Sequence, residues 1–266
     1  MKKFLTLLSL CVLLSTTGVN AAFAEDESDF HVIVGAKAWM NTWTTSFYST
    51  DNTFSGSNII STTSSGTTAL IPSLSLKFGN WNLSTGYMPE TDYSWASYTQ
   101  FVKWNSTTPR LLYSKWAAKR GELDVNLGYS VAPGLTLSAG YKQIIQKYSS
   151  QAWYSDALTT IYKSTGDTTI SGPTLGVAVN APISGQWSAY GNFAYGSLTA
   201  TYSGSSTSDT GVYYSSEVGV VYAFSGAAVT LGYKNQIVET AVNTPTGSQT
   251  APDVTKGFIL GAILSF

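Results

Sequence analysis

Stretches of about ten residues in which apolar and polar side chains alternate without a break recur along this chain, and they limit its fold more than any other feature. In ELDVNLGYSV, Leu123, Val125, Leu127, Tyr129 and Val131 share one face, while Asp124, Asn126, Gly128 and Ser130 share the other. A period of two marks a β-strand with two unlike faces, because successive side chains leave opposite sides of the pleat. LTLSAGYK repeats the pattern, setting Leu135, Leu137, Ala139 and Tyr141 against Thr136, Ser138, Gly140 and Lys142. Between the two stands APG, whose Pro133 and Gly134 suit a tight turn. The same unit recurs around GN at Gly79, SGQ at Ser184 and SGA at Ser225. With 24 Gly, 17 Tyr, 8 Trp and charged residues at only 11%, the chain is poor in helix formers and suited to strands and turns.

Counting the alternating segments predicts ten strands, near 30–43, 67–78, 81–90, 119–131, 135–148, 169–182, 187–201, 211–224, 227–240 and 255–266. The connections alternate in length: 79–80, 132–134, 183–186 and 225–226 are short, whereas 44–66, 91–118, 149–168, 202–210 and 241–254 are long. An even strand count with short turns at one end and long loops at the other predicts a single all-β, antiparallel transmembrane barrel. Eight strands would result if the first hairpin were a plug, and twelve if 91–118 held another hairpin. A β-sandwich would alternate too, so charge placement is the test. With each strand's parity fixed by its apolar residues, Lys37, Lys77, Asp124, Lys142, Glu217 and Lys234 all fall on the polar, lumen-facing side. A Lys or Arg facing lipid at mid-depth would cost about 2–4 kcal/mol. Trp81, Tyr87, Trp187, Tyr222, Phe224 and Phe266, near strand ends on the apolar face, suit an interfacial aromatic girdle.

The first residues predict export. Lys2 and Lys3 precede an apolar run from Phe4 to Leu14, too short to span a bilayer, and AFA at Ala22–Ala24 offers small residues at a cleavage-site spacing. Residues 1–24 read as a signal peptide and 25–266 as the barrel domain. Removing the leader takes Cys11, the sole cysteine, so neither disulfide nor Cys-based metal chemistry is expected. It also takes two lysines and no acid, moving the net charge from −1 to −3, which argues against nucleic acid as a partner.

In the last stretch, GFILGAILSF, Phe258, Leu260, Ala262, Leu264 and Phe266 take the lipid face, while Gly257, Ile259, Gly261, Ile263 and Ser265 take the interior. This strand resembles the C-terminal assembly signal of bacterial outer-membrane proteins. Gly261, Leu264 and Phe266 match it, while Ile259 stands where a polar residue is usual. DVNLGYSVAPGLTLSAGYKQI and YGNFAYGSL are similar to stretches of uncharacterised proteobacterial outer-membrane barrels, and the likeness covers most of 30–266. The resemblance implies a monomer in the outer membrane of a Gram-negative cell, in contact with outer-membrane lipid and lipopolysaccharide and inserted by the barrel-assembly machinery. Its motifs are architectural and carry over no catalytic residue.

Catalytic barrels of similar outline mostly use a histidine with a carboxylate or serine. The single histidine, His31, opens the first strand, at the end away from the long loops. Asp92, Asp156, Asp167 and Asp209 are scattered among the loops. No enzyme, cofactor or metal site is therefore expected. Two other classes remain. A ten-stranded barrel lies near the size that its own side chains fill, so the inward charges either pair and close the lumen or line a small pore for passive solute passage. Alternatively the loops bind: Trp95, Trp104 and Trp116 within 91–118 offer aromatic surface for an adhesin-like or receptor-like contact, unless much of that segment extends the third and fourth strands beyond the membrane with its aromatics packed on each other.

Overall fold

The computed structural model describes residues 30–48, 59–96, 98–102, 110–154, 161–244 and 247–266; the leader and Trp104 lie outside these. Every regular element is a strand: β1 (Phe30–Tyr48), β2 (Ile59–Thr63), β3 (Thr67–Phe78), β4 (Trp81–Ser94), β5 (Tyr98–Val102), β6 (Arg110–Ala132), β7 (Leu135–Tyr154), β8 (Tyr162–Ser184), β9 (Trp187–Tyr202), β10 (Ser208–Phe224), β11 (Ala227–Thr244) and β12 (Gly247–Ser265). Neighbours in sequence pair antiparallel, and β12 returns to β1, so the sheet closes on itself. β2 and β3 both pair β1, and β4 and β5 both pair β6, each couple forming one interrupted stave. The result is the closed ten-strand barrel that the alternation predicts.

The outer face carries a belt bounded by two aromatic rings. At the short-turn end Trp81 packs edge-on against Tyr129, its cross-strand partner, and Trp187 against Tyr222, at centroid separations of 4.9 and 4.8 Å. Toward the other end Tyr195 meets Tyr214 at 5.5 Å and Tyr233 meets Phe258 at 5.4 Å. Trp187 and Tyr195 stand eight residues apart on one strand, which at about 3.3 Å per residue and a tilt near 40° separates the rings by roughly 20 Å. Between the rings the outward residues are mostly aliphatic or small, Leu83, Leu127, Leu137, Leu175, Val218, Leu231 and Leu260 among them, with Phe193 just inside the second ring. No outward charged side chain interrupts the belt among the described residues. That is the surface that lipid requires.

The staves continue far beyond the second ring. β6 and β8 each run to 23 residues, about twice what a tilted strand needs to cross a bilayer. Much of 91–118, 149–168 and 202–210, expected as loop, is therefore strand. Ser, Thr and Tyr dominate there, a composition that reads as loop yet suits a sheet with water on its outer side. A second departure sits in β4, where two residues, Pro89 and Glu90, stand opposite the single Gly121 and shift the register between Met88 and Thr91. This β-bulge inverts the parity of the strand. Below it Asn82, Ser84 and Met88 are buried in the lumen; above it Tyr93 is.

Close packing inside requires small residues opposite large ones. Gly219 and Gly232 lie side by side across β10 and β11, and a Cβ on either would fall 2.7 and 2.4 Å from the ring and hydroxyl of Tyr190. Gly166 has open space around it. Gly232→Ala should therefore destabilise the barrel by about 1–3 kcal/mol, read as an earlier loss of the heat-resistant compact form on gels, with Gly166→Ala close to wild type.

Candidate functional site

The lumen is filled in layers. Nearest the short turns, Ile33, Tyr190, Val221, Ala228 and Ile263 form an apolar cluster, all buried. Above it lies an ionic layer. Lys37 Nζ pairs with Glu217 Oε1 at 2.7 Å, and the Tyr190 hydroxyl donates to the same oxygen at 3.0 Å. Lys142 Nζ bridges Glu122 at 2.6 Å and Asp124 at 2.8 Å. Arg120 Nε reaches Glu122 at 2.7 Å, and Gln236 donates to that carboxylate at 2.8 Å. Lys234 Nζ sits 4.8 Å from the Trp39 ring centroid, and the Arg120 guanidinium lies 5.0 Å from that of Trp43. These are distances at which an aromatic face stabilises a cation. Two apolar clusters flank the layer: Trp39, Ala69, Met88 and Ile259 on one side, Ile144, Ile170, Leu198 and Val238 on the other.

Parity places each of these side chains. Even-numbered residues of β6 and β7 turn inward, so Arg120, Glu122, Asp124 and Lys142 converge from adjacent strands, and Asp124 and Lys142 are direct cross-strand partners. Odd-numbered residues of β1 and β10 bring Lys37 and Glu217 together across the barrel. Lys77 lies on the inward parity of β3, near the short-turn end and opposite His31 in register. Arg120 and Glu122, absent from the sequence-derived set, belong to the same network. Both lie at the start of the expected strand 119–131, where their even numbering continues the polar face of Asp124.

Cavities interrupt the filling at two levels among the described residues. A polar void of about 90 Å³ lies within the ionic layer, bordered by Lys37, Asp124, Ser138, Asn192, Glu217 and Lys234. A larger cavity, about 340 Å³, occupies the projecting part of the barrel beyond the second aromatic ring. Its wall includes Trp116, Tyr148 and Tyr202, the polar side chains of Thr45, Gln146 and Asp253, and the apolar Ile170 and Val238. Tyr148 donates to Gln146 Oε1 at 2.8 Å, and Gln146 Nε2 donates to Asp253 at 3.0 Å, fixing the carboxylate in place. Under it Trp43 packs with Tyr93 and Trp95, at centroid distances of 5.3 and 5.2 Å. Trp95, a candidate for exposed contact, is thus turned inward and only 4% exposed; the β4 bulge is the reason. Trp116 lies on the cavity wall.

The proposed assembly residues sit at the seam. Gly261 pairs with Lys37 and Leu264 with Val34 across β12 and β1. Phe266 exchanges two backbone hydrogen bonds with Val32, at 2.9 and 3.0 Å. Among the described residues no group of three or more His, Cys, Asp or Glu is arranged to hold a metal ion.

The ionic layer is a stability element that a mutation can test. Lys142→Met would leave the recessed Asp124 without the ammonium that meets it and Glu122 with Arg120 as its remaining ion-pair partner and Gln236 as a neutral donor. Breaking a buried pair in this way costs about 3–5 kcal/mol, whereas Lys119→Met, at an exposed pair with Asp92 3.7 Å apart, should cost about 0–1 kcal/mol. Urea unfolding followed by tryptophan fluorescence in lipid bilayers measures both.

No protein-family model matches the chain, and no curated protein matches it. Solved structures do. The outer membrane protease OmpT from Escherichia coli superposes with a TM-score of 0.54 at 14% identity, over 93% of this chain and 99% of that one. The translocator domain of the autotransporter NalP from Neisseria meningitidis aligns at 0.44 and 9% identity, over 93% and 92% of the two chains. The toluene transporter TodX from Pseudomonas putida aligns at 0.39 and 9%, over 96% and 95%. A closed ten-strand barrel, an uncharged apolar belt between aromatic rings and the superposition on the outer membrane protease together give the chain the fold of a bacterial outer-membrane β-barrel.

Proposed function

We propose that the protein resides in the outer membrane as a closed barrel and works at the cell surface as a binding protein, its long hairpins outward. The observation that carries this reading is the contrast between the two ends of the lumen. Toward the short turns the apolar cluster and the ionic layer fill the lumen around a void of about 90 Å³. Toward the hairpins the interior opens into a cavity of about 340 Å³, within the range of small-molecule sites. A filled interior is what a barrel near eight strands favours, since an aqueous channel needs more staves. The inward charges support closure for the same reason, because they bond to one another across the lumen instead of facing an open path.

The reading assigns no catalytic role. His31 stands in register with Lys77 at the short-turn end, away from the outward cavity. A small pore is the competing reading, favoured by the polar void and its two lysines and two carboxylates.

Conductance in a planar bilayer separates the two. The refolded wild-type barrel should be silent, while a Tyr190→Ala, Ile263→Ala double variant, which removes two bulky members of the closing cluster, should give discrete steps. Steps in the wild type whose ion selectivity shifts in Lys142→Ala and Glu217→Ala would overturn closure and establish the pore.

A further inference from the structure

We propose that the outward cavity binds a small organic cation, an ammonium group on a compact apolar body. The inference rests on the closed surface barrel proposed above and names its ligand class. Three observations carry it. The first is the wall: Trp116, Tyr148 and Tyr202 surround a space that also meets the carboxylate of Asp253. Aromatic faces around a carboxylate are the arrangement that holds a desolvated ammonium, by cation–π attraction and by charge.

The second is the use of the donors. The Tyr148 hydroxyl is spent on Gln146, Gln146 Nε2 on Asp253, and the Tyr202 hydroxyl on Asp209 at 2.9 Å. The wall also carries hydroxyls, among them Ser46, Ser150, Ser164 and Thr168, so what singles out a cation is the ring surface of Trp116, Tyr148 and Tyr202 beside the Asp253 carboxylate. A carboxylate or phosphate ligand would want positive charge on the wall.

The third is the sign of the surrounding charge. The charged side chain on the cavity wall is Asp253, and Asp209 lies beside it at the Tyr202 hydroxyl. Lys115, Lys119, Lys147, Lys163 and Lys256 are on the outward parity and exposed. Arg120 lies deeper and is engaged by Glu122. A recess lined by one sign of charge with low-dielectric walls concentrates the opposite sign. The volume, about 340 Å³, limits the ligand to a small one, and Ile170 and Val238 on the wall suit methyl or short alkyl groups better than bulk water.

The test is calorimetric titration of the full barrel, folded in a polyoxyethylene detergent that carries neither a sugar nor a cationic headgroup. The probes are choline, its neutral isostere 3,3-dimethylbutanol, and methyl glucoside. Choline should bind at least roughly tenfold more tightly than the isostere, and Asp253→Asn should abolish most of that difference. Heat-modifiable migration on gels confirms that the variant is folded. Equal binding of choline and the isostere, preference for the glucoside, or no binding of any probe would each overturn the proposal. Failure here with a silent wild-type barrel leaves the closed surface barrel standing, whereas wild-type conductance would remove that reading itself.

Discussion

The seam between β1 and β12 is the constraint on which the rest of this molecule depends. In hydrocarbon no water is present to satisfy a peptide group, so a sheet with free edges is not a viable membrane structure and only closure removes the edges. Twelve register pairs, from Ile33 with Ser265 to Thr44 with Val254, join the two strands. Once the circle is closed with ten staves, its bore is fixed, and the inward side chains must fill whatever volume that leaves. Gly219 and Gly232 yielding space to Tyr190 are a local instance of that requirement.

The composition of the filling follows from the same geometry. Alternation commits half of each strand to lipid and half to the interior, and a chain that puts its aliphatic residues outside has polar ones left for inside. Charges enclosed this way are costly unless partnered, and here the partners come from distant parts of the chain. Lys37 meets Glu217 across 180 residues, Gln236 meets Glu122 across 114 and Gln146 meets Asp253 across 107. Such bonds tie staves that share no backbone ladder, so the lumen braces the wall that encloses it.

Sequence reasoning succeeded wherever a strict period of two held. The parity of Lys37, Asp124, Lys142, Glu217 and Lys234, an aromatic girdle near the strand ends and the terminal strand could all be derived from the spacing of apolar residues. It stopped at two places. The projecting staves are wetted outside and aromatic inside, so the apolar contrast that marks the belt fades, and 91–118 or 149–168 looks like loop. The β4 bulge breaks the period, and only Pro89, a residue that cannot donate to a central ladder, hinted at it. Trp95 was misjudged for that reason: continuing the lower parity of β4 would turn Tyr93 and Trp95 outward. The outward cavity was not legible, because its wall is drawn from seven staves and no short motif contains it.

The layered floor beneath the outward cavity has a thermodynamic consequence of its own. A recess that communicates with one side only cannot take part in net transport, whatever it holds. Its occupancy equilibrates with the medium beyond the hairpins and is indifferent to any concentration difference across the bilayer. Entry and exit share one mouth, so residence is governed by the contacts within the recess and by that single path. On the proposed reading of a closed floor and outward hairpins, the molecule would sample the exterior without drawing it in.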